Sequence, residues 1–498
     1  MRNTLVSFYQ NEKKMTLFMF SFLSLLVLFL EPWQFGFDLK GHLGWVPSHV
    51  AAQIIKARPE NYFVGYTLEL FNGDTRLLYY FDRYPLLFSA LTRFCLSPFE
   101  NDLRLWVYFS KIYMDLIFLA TVFGAYKVTG YFTKDALKRG SVILLTFSGY
   151  YFLRYKSMLH FDQPAILGMV AMVESIFHFE ETGRKRRFIF WSIFAPLLGR
   201  GYANLFVLSL YFIIKFFKKV PLKQLTKVAF ITLIPAVIIC SSFLSYNIFT
   251  EAKIRSISVT EVSIVKSALS RLGLEKLDEV REKSVRWPNF LLHQFNRIMN
   301  GLAPHFLGKL GLGYGILLTL VLIYFYRKKR IFIPEDLRFK YLFLTLSGFI
   351  WVLPMKRLAA FHDYTTLYYW GFFLSFYLLI SELFKNRLRL FAVASFIMLV
   401  SILSINVEIR KRLPEINLIG DEFFEIRKLL SLQENKGKTI YILEGHREIL
   451  PGRPYILGFY LFDYALSDNP SSGEFILSRA KQNLKPLFEG QRLNLYVK

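Results

Sequence analysis

Long apolar segments separated by short basic ones dominate the chain. After a polar start at residues 1–14, an apolar run occupies residues 15–30, and no small-residue cleavage site follows it. We therefore interpret it as a retained first helix. Further apolar runs of spanning length lie at about 105–126, 140–157, 161–179, 228–248, 310–326, 341–355, 365–384 and 389–406. This pattern predicts an all-α polytopic membrane protein.

Clusters of Lys and Arg between these runs predict the orientation. They lie at residues 127–139, 184–187, 215–227, 327–330 and 385–389. By the positive-inside rule they belong in the cytoplasm together with the N-terminus. The stretch 188–217 is flanked by two such clusters, so we predict a hairpin of two short helices with Gly199-Arg200-Gly201 at its outer tip. This gives about 11 spans and a periplasmic C-terminus.

Composition supports the membrane interpretation. Of the 498 residues, 54% are hydrophobic, 18% are aromatic and only 20% are charged, yet the formal net charge is +25. A soluble nucleic-acid binder of that charge would be much less apolar, so this class is excluded. Two cysteines, Cys95 and Cys240, are too few for a disulfide framework, and we expect both to be unpaired thiols.

Three sizeable segments face outward in this topology: residues 36–103, 249–309 and 407–498. In the first loop, residues 49–57 and 85–94 are apolar enough for interfacial helices. In the tail, residues 421–432 have helical spacing, whereas 438–444 and 493–497 resemble strands. We therefore predict a transmembrane domain at 1–406, followed by a small periplasmic α/β domain at 407–498.

Ionisable residues recur at the outer ends of the predicted helices. The set consists of Asp38, His42, Asp82, Arg83, His160, Asp162, Arg200, Lys356, Arg357, His362 and Asp363, with Tyr364 beside the last of them. All would open on one side of the bilayer. Charges at membrane depth are costly, so this set is the candidate functional site.

Other polar residues have simpler interpretations. We expect Arg154 and Lys156 to snorkel at an interface, and Asp115 and Glu174 to be paired within the bundle. The histidines of the large outer loop have no ligand-like spacing, and no glycine-rich phosphate loop is present. The sequence therefore indicates no metal site and no cofactor, and it leaves the use of a divalent metal open.

The ionisable residues at the outer helix ends are suited to group transfer from a lipid-linked phosphate. An outward cavity has no access to nucleotide sugars, so an activated donor must arrive attached to a lipid. Its phosphate would need cations, for which Arg83, Arg200, Lys356 and Arg357 are the candidates. The acceptor would need a carboxylate to take its proton, and Asp38 could supply it. The remaining polar residues are candidates for acceptor or sugar contacts: His42, Asp82, His160, His362, Asp363 and Tyr364.

Three short stretches resemble the GT-C superfamily of polytopic glycosyltransferases, especially bacterial relatives of protein O-mannosyltransferases and aminoarabinose transferases. They are the first-loop Asp in 37–43, the aromatic-Pro-Leu segment in 82–86, and the Asp with a following Pro in 160–164. The late turn at 362–364 also resembles bacterial members. Leu39 follows Asp38, so the paired acids of many members are not reproduced.

The resemblance implies a catalytic base at Asp38 and a supporting carboxylate at Asp162. It also implies a polyprenyl-phosphate sugar donor, inversion at the anomeric carbon, and an envelope acceptor that is a glycolipid, a glycan or a protein. The expected location is a bacterial inner membrane. The alternative is a transporter or flippase for a lipid-linked saccharide, although the sequence has no repeated halves. An outer-face ligase or polymerase with a diphosphate-linked donor is a further alternative.

Overall fold

The structure is a computed structural model that describes part of the chain. The described residues are 12–31, 37, 42–57, 66–72, 75–80, 86–255, 269, 285–328, 331, 333–432, 438–443, 459–461, 464–467 and 473–498. Within them the fold is mostly helical with one small sheet, as predicted, but two of the seven strands come from residues 66–80 of the first outer loop and were not predicted. Asp38, Asp82 and Arg83 lie outside the described residues, and His42 is the first residue of a helix.

The first half of the chain is almost entirely helical. Its elements are α1 (Glu12–Phe29), α2 (His42–Lys56), β1 (Tyr66–Asn72), β2 (Thr75–Tyr80), α3 (Leu86–Leu96), α4 (Leu103–Thr129), α5 (Ala136–Phe147), α6 (Tyr150–Arg154), α7 (Asp162–Thr182), α8 (Arg186–Phe194), α9 (Gly201–Phe217), α10 (Leu222–Ile231) and α11 (Leu233–Arg255). Helices α2 and α3 are the two predicted in the first loop. The predicted break at Gly199-Arg200-Gly201 separates α8 from α9.

The second half adds six helices and five strands within the described residues. They are α12 (Trp287–Gly301), α13 (Gly311–Arg327), α14 (Glu335–Ser347), α15 (Lys356–Phe361), α16 (Trp370–Ser381), α17 (Arg387–Leu430), β3 (Thr439–Ile442), β4 (Ala465–Ser467), β5 (Phe475–Ser478), β6 (Pro486–Glu489) and β7 (Asn494–Val497). Strands β3 and β7 are the two predicted in the tail. Helix α17 crosses the predicted domain boundary after residue 406 without interruption.

Four helical segments of the described chain are long and apolar enough to cross a membrane: Leu103–Thr129, Leu233–Thr250, His305–Arg327 and Arg387–Leu430. The apolar helices Lys14–Phe29, Leu87–Phe99 and Gly201–Phe217 are shorter. These lengths do not confirm a count of about 11 spans. One reason is that several apolar runs are interrupted: the run 140–157, for example, is divided into α5 and α6 at Gly149.

The sheet joins two distant parts of the chain. Its strand order is β2-β1-β4-β3-β5-β7-β6, in which β1 from the first outer loop lies parallel to β4 from the tail. Leu70 is in register with Leu466. The apolar core under the sheet also draws on both parts, since it includes Phe37, Trp106 and Phe459. The tail strands therefore form one unit with the first-loop hairpin.

Phe37, at the start of the first outer loop, is hydrogen-bonded to this unit. The backbone N–H of Phe37 donates to the hydroxyl oxygen of Tyr460 at 3.3 Å, and the Phe37 ring meets Phe459 edge to face at 5.0 Å. The Tyr460 ring stacks on Phe423 of α17 at 4.5 Å. Burial raises the pKa of the Tyr460 hydroxyl, and the hydrogen bond from Phe37 opposes this only in part. The hydroxyl therefore stays neutral at physiological pH.

Candidate functional site

Asp162 is the centre of a buried acid-base cluster. It is the first residue of α7 and is fully buried. Its Oδ1 lies 2.5 Å from Arg200 Nε and accepts a hydrogen bond from the Tyr368 hydroxyl at 2.6 Å, while its Oδ2 contacts His160 Nδ1. Both carboxylate oxygens are thus engaged by protein donors. Such an arrangement is suited to holding the surrounding turns in place.

Two glycines allow Arg200 to reach this carboxylate. Gly199 adopts a positive φ of 55°, and a Cβ there would lie 1.9 Å from the carbonyl oxygen of Phe161. A Cβ on Gly201 would lie 1.8 Å from the carbonyl oxygen of Pro196. Only glycine permits such close approach of two backbones. The turn before α9 therefore packs directly on the turn before α7.

Aromatic rings enclose the Arg200 guanidinium. Its Cζ lies 5.7 Å from the ring centre of Trp351, which stacks on Tyr368 at 3.9 Å. Its Nη2 is 3.5 Å from the hydroxyl of Tyr364. Because Arg200 is only 1% exposed, it is committed to Asp162 and the rings, and a phosphate could reach it only if the cluster opened.

The late turn at 362–364 joins the same cluster. The Tyr364 ring lies 5.1 Å from both His160 and His362, and Tyr155 makes a hydrogen bond to the Asp363 carboxylate. Arg297 of α12 holds the turn from below through the carbonyl oxygens of Ala360 and His362, at 3.1 and 3.2 Å. Three turns that are far apart in sequence therefore meet at one place.

Lys356 and Arg357 occupy the first two positions of α15 and are half-buried. The Lys356 Nζ lies 4.4 Å from the ring centre of Trp287 in α12. This contact is a cation–π interaction with the neighbouring helix.

A second charged cluster consists of Lys156, Glu31 and Asp115. Lys156 Nζ lies 2.5 Å from Glu31 Oε2 and 2.9 and 3.0 Å from the two oxygens of Asp115. All three side chains are at most 1% exposed. The prediction that Lys156 snorkels is therefore wrong, because two carboxylates meet its charge inside the protein. The prediction that Asp115 is paired in the bundle is confirmed.

A third cluster is built around Glu408 of α17. Its Oε1 lies 3.0 Å from Arg154 Nη1 and 3.4 Å from Arg412 Nη2, and its Oε2 lies 3.4 Å from His305 Nε2. Arg154 also donates to the Tyr150 hydroxyl at 2.8 Å. Arg154 is partly exposed, but specific partners hold its guanidinium. This arrangement also differs from the prediction that Arg154 snorkels at an interface.

A cavity of about 40 Å³ lies between the second and third clusters. Its wall carries three cationic side chains, Lys111, Arg154 and Arg412, and one carboxylate, Glu31. The remaining lining residues are Phe37, Leu43, Pro47, Ser157, Met158, Ile409 and Ile416. All of them belong to the predicted outer segments or to the outer ends of predicted spans. In the predicted topology, these residues are on the same side as the candidate site.

The structure thus brings together six of the candidate residues: His160, Asp162, Arg200, His362, Asp363 and Tyr364. Sequence reasoning did not select Lys111, Arg412 and Glu408, which belong to or adjoin the cavity. Glu408 and Arg412 are four residues apart just beyond an apolar run, and this helical spacing was the available signal. Within the described residues, no three His, Cys, Asp or Glu side chains are grouped so as to hold a metal ion.

Comparison with known proteins gives little further information. No protein-family model matches the chain, and no curated protein matches it. Among solved structures, it is similar to the Archaeoglobus fulgidus oligosaccharyltransferase, whose crystal structure is a complex with Zn and sulfate. The TM-score is 0.43 and the sequence identity is 14%, over 93% of this chain and 68% of the other.

Proposed function

We propose that this protein is a GT-C-type glycosyltransferase of a bacterial inner membrane. It would move a sugar from a polyprenyl-phosphate donor to a glycolipid, glycan or protein of the envelope on the periplasmic face. The observation that carries the proposal is the meeting of three turns that the sequence predicts to be outer ones, 160–162, 199–201 and 362–364. Polar and charged groups gathered from separate turns at one side of a helical bundle are typical of a functional site.

The first outer loop supplies the proposed base. Phe37 is buried in the cavity wall, and Asp38 is the next residue along the chain. In the proposed reaction the Asp38 carboxylate takes the proton of the acceptor hydroxyl while that oxygen attacks the anomeric carbon. The bond from this carbon to the lipid phosphate oxygen breaks, and the lipid phosphate leaves as an anion. One displacement of this kind inverts the anomeric centre.

The Asp162 cluster has a supporting role in this scheme. Since its carboxylate is fully buried and bound by Arg200, His160 and Tyr368, it holds the turns that surround the reaction. The donor and acceptor would then contact the accessible parts of these turns, among them His362 and Asp363, which are half-buried. The supporting carboxylate and the base would thus be separate groups with separate functions.

The test compares Asp38→Asn with Asp421→Asn in membranes. The substrates are polyprenyl-phosphate hexoses and pentoses labelled in the sugar. Loss of a general base typically lowers the rate 10²- to 10⁴-fold, and we expect a loss of about this size for Asp38→Asn. Asp421 pairs with Arg104 at the surface of the tail helix at 3.2 Å, so its variant should transfer at the parental rate.

Transfer by Asp38→Asn at the parental rate would refute the assignment of the base. If the parental protein moved labelled lipid across proteoliposomes without forming any product of changed mass, the transporter alternative would replace the enzyme. These two results are distinguishable, because the first requires a product and the second requires its absence.

A further inference from the structure

Helix α12 presents three faces with different surroundings. One face packs into the protein, where Phe290 and Gln294 are buried and the guanidinium of Arg297 holds the late turn. The second face is apolar and yet exposed, and its four large side chains are Trp287, Leu291, Leu292 and Phe295, each 45–59% exposed. The third face is polar and partly or fully exposed, and it carries Asn289, His293, Asn296 and Asn300.

Helical spacing keeps these faces apart. With 3.6 residues per turn, positions 287, 291 and 295 lie above one another with 292 beside them, and positions 289, 293, 296 and 300 form a separate strip. Arg297, the one charged residue of the helix, belongs to neither exposed face. An amphipathic helix in a membrane–water interface has this division, because acyl chains, water and the protein each meet one face.

The neighbouring helix places α12 beside the bilayer. Helix α13 belongs to a segment that is long and apolar enough to cross a membrane, and most of its large apolar side chains are exposed. A Cβ on Gly315 of α13 would lie 2.2 Å from the carbonyl oxygen of Met299, so the two helices pack backbone against backbone. The 15 residues of α12 extend over only about 22 Å, which is too short to span a hydrocarbon core of about 30 Å.

The N-terminal end of α12 has residues that are typical of the headgroup region. The Lys356 Nζ lies 4.4 Å from the ring centre of Trp287, and Arg286 is exposed directly before the helix. Trp is enriched at membrane–water interfaces, and Lys and Arg keep their charged ends at the same depth while their stems contact apolar groups. This end of the helix therefore matches the border between acyl chains and headgroups.

We propose that α12 lies in the interface of the bilayer, with its exposed apolar face among the acyl chains, and that it anchors the late turn at 362–364 to the membrane surface. The contact with the bilayer rests on the faces of α12 and on its packing against α13. It does not depend on which group the protein transfers.

The anchor consists of hydrogen bonds to backbone carbonyls. Arg297 donates to the carbonyl oxygens of Ala360 and His362 at 3.1 and 3.2 Å, and the Gln294 amide donates to that of Ala359 at 3.1 Å. Ala359 and Ala360 belong to the last turn of α15, whose carbonyls have no partners within the helix. The buried face of α12 thus supplies donors that the end of α15 needs, and it fixes where the late turn begins.

Spin labels on adjacent residues test the contact with the bilayer. The full-length protein carrying Cys95→Ser and Cys240→Ala is placed in phosphatidylcholine nanodiscs, and a nitroxide is attached at Leu292→Cys, at His293→Cys on the polar face, or at Leu317→Cys on α13 as the lipid reference. Collisions with oxygen and with a polar nickel chelate are measured. We expect the ratio of oxygen to nickel collisions to be at least about tenfold higher at 292 than at 293, because hydrocarbon excludes the polar chelate.

Two results would overturn the bilayer contact. If nickel collides as often at 292 as at 293, the apolar face lies in water. If both reagents collide rarely at 292, another protein covers this face, and dipolar broadening between labels on two chains would identify a second copy as that partner.

A second measurement avoids labelling. The fluorescence contributed by Trp287 is the difference between the parent and Trp287→Phe, and it should be quenched more strongly by phosphatidylcholine brominated near the headgroup end of the acyl chain than by lipid brominated near the methyl end. Absence of quenching by either lipid would also refute the proposal.

The anchoring role has its own test. A nitroxide at Phe361→Cys, at the end of α15, should move faster when Arg297→Gln removes the hydrogen bonds to the carbonyls. It should also move faster when Leu292→Glu places a charge on the apolar face, whereas His293→Glu adds the same charge to the polar face and should leave the label unchanged. Parental mobility of the label in both Arg297→Gln and Leu292→Glu would refute the anchor.

Discussion

Lys156 offers the sharpest test of the packing at the outer helix ends. Its ammonium lies between Glu31 and Asp115, at 2.5 and 2.9 Å, and none of the three side chains is more than 1% exposed. Lys156→Met would remove the ammonium that directly contacts two buried carboxylates. Breaking a buried ion pair by removing one partner costs about 3–5 kcal/mol, and here one substitution removes the partner of two groups. We expect a loss at the upper end of that range.

The single variants Glu31→Gln and Asp115→Asn should be milder, because each leaves Lys156 with one carboxylate. The triple variant that combines both amides with Lys156→Met removes all three charges, and it should regain much of the lost stability. Unfolding is followed by far-ultraviolet circular dichroism during titration of detergent-solubilised protein with sodium dodecyl sulfate. Lys309→Met, which removes an exposed lysine, is the matched control.

The reasoning fails if Lys156→Met unfolds at the same detergent fraction as the parent and as Lys309→Met. It also fails if the triple variant is no more stable than Lys156→Met, since the cost would then come from lost packing and not from uncompensated charge.

Two further predictions concern local geometry. Gly199→Ala forces a Cβ into the backbone of the neighbouring turn and should destabilise the protein by more than about 2 kcal/mol. Gly313 has open space around it, so Gly313→Ala should be neutral or slightly stabilising in the same titration with sodium dodecyl sulfate. Tyr460→Phe removes the acceptor of the Phe37 N–H, so it should lower the free energy of unfolding by about 1 kcal/mol and also lower the rate of sugar transfer. Tyr324→Phe, at an exposed position, should change neither the free energy of unfolding nor the transfer rate.

The sequence predicts that the outer turns lie on one side of the membrane, but it does not predict which of their residues contact each other. The basic clusters predict which ends of the helices face outward, and this prediction is enough to group His160, Asp162 and Arg200. Their pairing depends on a glycine turn that brings two backbones into contact, as Gly199 does against Phe161. A hydropathy profile does not reveal such a close approach of two backbones, because glycine contributes almost nothing to the profile.

Isolated charges at the ends of apolar runs are harder to interpret. Lys156 follows an apolar run, and in sequence it resembles any lysine that reaches the interface. Its partners are Glu31, which lies just after α1, and Asp115 of α4, and only the three-dimensional arrangement brings them within 3 Å. The tail strands illustrate the same limit. The local pattern of residues predicts β3 and β7, but the parallel pairing of β4 with β1 is non-local and leaves no local signal.

This pairing also constrains how the protein is made. Strand β1 cannot find its parallel neighbour until residues 465–467 have been synthesised, about 400 residues later. At a synthesis rate of roughly 5–20 residues per second, the first-loop hairpin waits about 20–80 s with one edge unpaired. An exposed strand edge is prone to wrong pairing during that interval. A strand of the tail thus completes a sheet that the first loop begins, and termination after α17 but before β4 would leave the helices in place with the β1 edge unprotected.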